Sequence, residues 1–258
     1  MESGQPLAAV AGTDEVLRLV PGYERLLTGV ERRRADAFLT AGPRADFVAA
    51  HVLVRLCAAR LLGRPARTLV LEQRCPGCGS EEHGRPGLAG LPRVYVSLSH
   101  TAGVVAAAAG HEPVGVDVER RTLPESVRGA AGRVLSASER AALRAHAAPD
   151  AYFLRQWVRK ECFVKLGRAT LGGLAAVDLS DLPDVTGTAS TTGATAAHDA
   201  AGAAQECLSR HGDLYVLDHT DARRDAVAAV VSTGRPRIGA VVPHTDPARP
   251  VGPVVRST

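Results

Sequence analysis

Aromatic residues are scarce: Phe, Trp and Tyr make up 3% of the 258 positions. The core must therefore be assembled from Ala, Val and Leu, within an apolar content of 45%. No apolar run reaches the ~18 residues of a spanning helix, which excludes that kind of membrane protein. The start, Met1-Glu2-Ser3-Gly4-Gln5-Pro6, lacks the basic residues and apolar centre of a signal peptide. Five cysteines, an odd number without regular spacing, form no disulfide framework, so a cytoplasmic, reducing setting is expected. Neither a P-loop nor a kinase-type glycine-rich loop is present. Cys75-x-x-Cys78 with His83 offers three zinc donors where a closed site needs four, and Cys57, Cys162 and Cys207 are remote; metal binding there stays open. The formal charge of +4 is mild. It suits phosphate-rich ligands or acidic partners, and without clustered aromatics it does not support a nucleic-acid binder.

What is present reads as one sizeable core or two small ones. Residues 1–22 hold a strand or short helix with turns at Gly12 and Pro21-Gly22. Glu31-Arg32-Arg33-Arg34 opens a solvated helix or grips phosphates. Phe47 to Leu62 carries a helical stripe (Phe47, Ala50, Val54, Leu61) stopped by Gly63. Strands are expected at 68–72, 94–99, 104–109, 114–120, 175–179, 214–218 and 227–231. Ser136 and Glu139 have capping-box spacing and start a helix running to about His146. Residues 186–204, rich in Thr, Ala and Gly, read as a mobile loop, and the Pro-rich stretch from Gly234 as an extended tail.

Three segments carry chemistry. Asp117 and Glu119 are two apart on an expected strand, so both point to one face while Val116 and Val118 point to the other. Such a pair is either a solvent-facing edge or, because like charges repel, a pair bridged by a cation such as Mg²⁺. Ser99-His100 ends a strand before Gly103, where a histidine can meet phosphate, act as a base or simply sit in a turn. On a helix over 157–167, Trp157, Glu161 and Lys165 stack on one face with Lys160 beside them. Alone, Glu161–Lys165 reads as an exposed ion pair; with Asp117 and Glu119, Glu161 becomes a third acid of a possible cation site.

Taken together these segments resemble the 4′-phosphopantetheinyl transferases, in particular their larger two-lobed class. The matching pieces run in order: Gly84-Arg85-Pro86, Ser97-Leu98-Ser99-His100, Gly115-x-Asp117-x-Glu119, Arg133-Val134-Leu135-Ser136 with Glu139, and Trp157-x-x-Lys160-Glu161-x-x-x-Lys165. The third and last, about forty residues apart, are the specific pair, and the resemblance covers about residues 25–232. It implies an α+β fold of two pseudo-symmetric lobes, each a small antiparallel sheet with a long helix. The expected divisions are 1–116, 117–232 and an extended tail over 233–258. A faint repeat supports this: Val54-Arg55 and Leu62-Gly63-Arg64 recur as Val158-Arg159 and Leu166-Gly167-Arg168, with Cys57 standing where Glu161 stands.

The resemblance further implies transfer of 4′-phosphopantetheine from coenzyme A to a serine of an acyl, polyketide or peptidyl carrier protein, leaving adenosine 3′,5′-bisphosphate. Mg²⁺ is expected on Asp117, Glu119 and Glu161, with Glu161 as base and Lys165, Lys160 and His100 assisting catalysis. Arg32, Arg33, Arg44, Arg85, Ser99, His100, Lys160 and Lys165 are the expected coenzyme A contacts. Val118 between the acids cannot ligate, so a water must fill that place. Carrier recognition is expected near 120–150, where Arg121, Arg128 and Arg133 can contribute. A monomer without nucleic-acid or membrane partners is expected, since two lobes complete the site. Alternatives are another Mg²⁺-dependent phosphoryl-transfer enzyme or a silent carrier-binding scaffold.

Overall fold

The computed structural model describes residues 4–74, 78–81, 84–122, 129–184, 195–198 and 204–240. Cys75, His83 and Arg128, most of the 186–204 stretch and residues 241–258 lie outside the described residues.

The fold is mixed α+β. Strand β1 (Leu7–Gly12) leads into helix α1 (Thr13–Leu19), so strand and helix both occur in the first segment. Helix α2 (Gly29–Asp36) begins at Thr28, whose hydroxyl accepts from Glu31 N while Glu31 closes the capping box. Helix α3 (Ala41–Leu62) starts six residues before the expected Phe47 and ends at Gly63, which takes the left-handed φ of 62°. Strands β2 (Leu71–Arg74) and β3 (Arg85–Leu88) form a hairpin. The strand expected at 68–72 is thus displaced, because Ala66–Thr68 closes a 3-10 turn after Pro65. Strands β4 (Tyr95–Thr101), β5 (Val104–Gly110) and β6 (Val114–Arg120) follow as expected. Next come the short α4 (Ala131–Val134), α5 (Ala137–Ala145), capped by Ser136 and Glu139, and α6 (Pro149–Leu166), stopped by Gly167. The chain closes with β7 (Thr195–His198), β8 (Ala204–His211), β9 (Leu214–Asp221), β10 (Ala226–Ser232) and β11 (Arg237–Ile238).

One sheet has the order β11-β1-β5-β4 and the other β6-β10-β9-β8-β7. Strands β1, β5, β6 and β10 are buried on both faces, and the side-chain alternation divides the work. Ala9, Ala11, Val105, Ala107 and Ala109 pack with α3. Their alternates Ala8, Val10, Ala106 and Ala108 meet Val116, Val118, Ala228 and Val230 of the other sheet. The second sheet's opposite face, with Val216, Ala229 and Val231, packs with Val158, Cys162 and Phe163 of α6. Small residues let these layers approach closely, which is how a core poor in aromatics fills its space.

One expectation fails for an identifiable reason. Residues 175–179 form no strand; a 3-10 helix, Leu171–Ala176, ends there. The carbonyls of Leu174 and Val177 are bound by the Lys160 ammonium at 3.0 and 2.6 Å, and Leu179 N donates to Glu139 Oε1 at 2.9 Å, so a ladder has no claim on them. The tail is not free at its start: Arg237 and Ile238 pair in parallel with Leu7 and Ala8.

Candidate active site

Three elements meet on the acids. On β6, Gly115, Asp117 and Glu119 share one face, and that face turns toward α6 rather than to solvent: Asp117 is 4% exposed. The approach is possible because residue 115 is glycine; a Cβ there would stand 2.4 Å from the Cys162 carbonyl oxygen. On α6, Lys165 Nζ lies 2.7 Å from Asp117 Oδ1 and donates to the carbonyls of Val116 (2.9 Å) and Leu98 (3.3 Å). From β4, the Ser99 hydroxyl donates to Asp117 Oδ1 at 2.7 Å. Thr101 from β4 and Trp157 from α6 stand near Glu119 and favour its ionised form.

The electrostatics are those of crowded carboxylates. Burial first, then the charge of Asp117, push Glu119 up to about 7, against Thr101, Trp157 and Lys165. The same two causes raise Glu161, with Lys165 opposing. Asp117 Oδ2 is buried and has no hydrogen-bond partner among the described residues. Among the described residues, no three His, Cys, Asp or Glu side chains form a ready-made metal set. The acids therefore share a field rather than a preformed coordination shell. An orphaned carboxylate oxygen beside two carboxyls of raised pKa is an excess of negative charge, and hard oxygen donors of this kind fit Mg²⁺.

Lys160 must be reassigned. It is fully buried, and its ammonium sits 2.6 Å from Glu139 Oε2 while donating to the carbonyls of Val134, Leu174 and Val177. All its donors are committed inside the second sheet's domain of packing, so it has none for phosphate. Its neighbour Arg159 likewise pins α6 to β9, with Nη2 2.7 Å from Asp218 Oδ2. His100 lies exposed at the end of β4, edge-on to Phe47.

The expected arginines separate. Arg32 donates to the Leu27 carbonyl, Arg44 pairs with Asp36 on the surface, and Arg33 is exposed on α2. Only Arg85 lines a cavity of about 500 Å³, which it shares with Arg34, Arg74, Gln73, Glu72 and His51. Burial pushes His51 down to about 4; its Nδ1 faces the Phe47 carbonyl at 2.8 Å. Sequence reasoning named Arg34 only within the Arg32–Arg34 run and passed over Arg74 and Thr101. Thr101 had a signal: two residues beyond Ser99, it shares that residue's strand face.

Residues 113–230 match the family model of the 4′-phosphopantetheinyl transferase superfamily, the stretch that holds β6 and α6. Over that stretch the chain is similar to that superfamily. The 4′-phosphopantetheinyl transferase psf-1 of Bacillus pumilus is 30% identical over 129 residues, 49% of this chain and 52% of that protein. A 4′-phosphopantetheinyl transferase of Bacillus subtilis is 29% identical over 117 residues, 44% of this chain and 48% of that protein. The ffp transferase of Bacillus subtilis is 33% identical over 88 residues, 33% of this chain and 38% of its own length. The chain thus spans about half the length, or less, of these relatives. No described helix is long and apolar enough to cross a membrane.

Proposed function

We propose that the protein transfers the 4′-phosphopantetheine group of coenzyme A to a serine of an apo acyl, polyketide or peptidyl carrier protein, giving the holo carrier and adenosine 3′,5′-bisphosphate. The observation that carries this reading is Asp117, buried with one carboxylate oxygen unpartnered and flanked by Glu119, Glu161 and Lys165. Asp117, Glu119 and Glu161 would hold Mg²⁺. When bound, the cation supplies charge neutralisation to the pyrophosphate.

The chain's own groups do the rest. The serine Oγ forms a bond to the β-phosphorus, and the bond from that phosphorus to the bridging oxygen breaks. The serine proton passes to Glu161, directly or through a water. Its raised pKa strengthens it as a base, provided it is ionised in the working complex. Lys165 is placed to turn from Asp117 to the departing phosphate, and His100 and Ser99, at the end of β4, to contact phosphate oxygens. Arg85, with Arg34 and Arg74 in the same cavity, replaces Arg32, Arg33 and Arg44 as the proposed grip on coenzyme A. The lobes would be residues 1–116 and 117–232, with 233–258 as a tail. Support comes from α3 packing on the first sheet and α6 on the second. A cytoplasmic monomer without nucleic-acid or membrane partners completes the proposal.

The test is incubation with coenzyme A, Mg²⁺ and several apo carriers of the fatty-acid, polyketide and peptide types. The expected result is a carrier heavier by one phosphopantetheine, seen by mass spectrometry. No gain on any of them would remove the transferase reading.

A further inference from the structure

The two sheets meet through small apolar side chains, with Ala8, Ala106 and Ala108 against Val116, Val118 and Ala228. Apolar contact is non-directional, so the register between the sheets falls to polar bonds. Two of these lie beside the acids: Ser97 Oγ accepts from Val116 N at 3.0 Å, and the Ser99 hydroxyl donates to Asp117 at 2.7 Å. A third stands further out, past the ends of β4 and β6. Arg224, in the turn between β9 and β10, reaches Glu15 in the first turn of α1, with Nη2 2.5 Å from Oε2.

A partly exposed ion pair is by itself worth little. This one differs because both partners are fixed before they meet. Buried Asp221 accepts twice from Arg224, from Nη1 at 2.5 Å and from the backbone N at 3.0 Å. The Arg224 carbonyl accepts from Arg120 Nη1 at 2.8 Å, and Arg120 directly follows Glu119 on β6. On the other side, Glu15 Oε2 also accepts from Gly12 N at 3.3 Å. Thr13 N donates to the Gly103 carbonyl at 3.0 Å. Asp46 Oδ1 accepts from both the Thr13 hydroxyl and Gly103 N, at 2.5 and 3.1 Å. Gly103 lies in the β4–β5 turn that follows His100, and Glu15 and His100 line one cavity of about 630 Å³. Hydrogen bonds and covalent neighbours thus lead from the strand that carries Glu119 to the turn behind His100.

We propose that Arg224 is a positioning residue: through Glu15 it clasps the outer ends of the two sheets and holds His100 at a fixed distance from Asp117, Glu119 and Lys165. The inference rests on the reading that these groups serve one phosphoryl-transfer site. A guanidinium suits the task because its planar fork serves Asp221 and Glu15 at once, which a point-like ammonium does not.

The experiment uses the full chain, with Arg224→Ala, Glu15→Ala, their double variant, and Arg224→Ala combined with His100→Ala. Amide hydrogen exchange over residues 99–104, followed without coenzyme A or carrier, reads whether the clasp is felt on the first sheet. Exchange there should speed up in both single variants, while the middle of α3 exchanges as in the wild type. Steady-state transfer is the second readout. Each single variant should lower the maximal rate by about tenfold and move the KM for coenzyme A much less, because Arg34 and Arg85 are untouched. The Arg224–Glu15 double variant should lose no more than either single one, and Arg224→Ala should cost nothing further once His100 is alanine. Unchanged exchange over 99–104 in a folded Arg224→Ala overturns the proposal. So does faster exchange with an undiminished rate, or a loss additive with that of His100→Ala. If Arg224→Ala fails to fold because Asp221 is left buried and unpaired, the same outcomes in Glu15→Ala decide. Faster exchange in the variants, with no carrier modified by the wild type, leaves the clasp standing and removes the transferase reading. Carriers modified with exchange and rate indifferent to Arg224 and Glu15 do the reverse.

Discussion

Gly115 in β6 and Cys162 in α6 touch backbone to backbone: a Cβ at 115 would stand 2.4 Å from the Cys162 carbonyl oxygen. That contact sets how deeply the helix lies on the strand. Two residues along the strand is Asp117, and one residue back on the helix is Glu161. The glycine is thus needed for closeness, not for an unusual φ.

Gly115→Ala must therefore lift α6 from β6. Overpacking of this kind costs about 1–3 kcal/mol, so the melting temperature should fall by several degrees. The transfer rate at a temperature where the variant is folded should fall further than stability alone explains, because Lys165 leaves Asp117. An alanine variant that melts and turns over like the wild type would refute the claim that this contact positions the acids.

Lys160 is predicted to matter for folding rather than for phosphate. Burial lowers its pKa while Glu139 opposes the shift. Lys160→Met strands the Glu139 charge at a site with no exposure, and breaking a buried pair in this way costs about 3–5 kcal/mol. Adding Glu139→Gln should recover part of the loss in chemical denaturation. If Lys160→Met denatures like the wild type yet loses transfer, Lys160 belongs in the site after all.

The contrast between Lys160 and Lys165 shows where the sequence stops being informative. Both are lysines on one helix, five positions apart, beside the same glutamate. What each meets depends on segments 14, 26, 48 and 67 residues away in the chain: the backbone carbonyls of Leu174 and Val134 for one, Asp117 and Leu98 for the other. Local signals did carry through where the cause is local. Period-two alternation over 114–120 put Asp117 and Glu119 on one face, Ser136 and Glu139 made the capping box, and Gly63 and Gly167 stopped their helices at φ of 62° and 80°. The turn toward the helix, rather than toward solvent, came from Gly115, whose missing side chain is visible in the sequence but whose partner is not.

The pH dependence follows from Glu119. Its ordinary value is 4.5 and the folded value is about 7, so the folded protein holds a proton that the unfolded chain has released across that window. Below about 4.5 both states are protonated and Glu119 exerts no penalty; as pH rises through the window, its ionisation progressively destabilises the fold. Denaturation followed from pH 4.5 to 8 should show Glu119→Gln gaining stability over the wild type as pH rises. Mg²⁺ added above pH 7 should close that gap by favouring the ionised wild-type carboxylate. Parallel stability profiles for the two proteins would contradict the raised pKa.

The arginines give the sharpest test of where coenzyme A sits. Arg34 reaches Gln73 across the 500 Å³ cavity and lies 5.0 Å from the Phe47 ring, so its guanidinium is already oriented there. Arg44 is spent on an exposed pair with Asp36, both side chains more than half exposed, and such pairs contribute little. Loss of one charge-assisted hydrogen bond corresponds to about tenfold or more in binding. Arg34→Ala and Arg85→Ala should each raise the KM for coenzyme A by about that factor, whereas Arg44→Ala should leave it nearly unchanged. Arg85 carries a second consequence, because its guanidinium packs against Gly167 at the end of α6 and a Cβ there would meet Nη2 at 2.2 Å. Its removal should therefore also lower the maximal rate, by loosening the helix end that follows Lys165, while Arg34→Ala should act on KM alone. If Arg44→Ala is the variant that loses affinity, the grip lies on the surface between α2 and α3 rather than in the cavity.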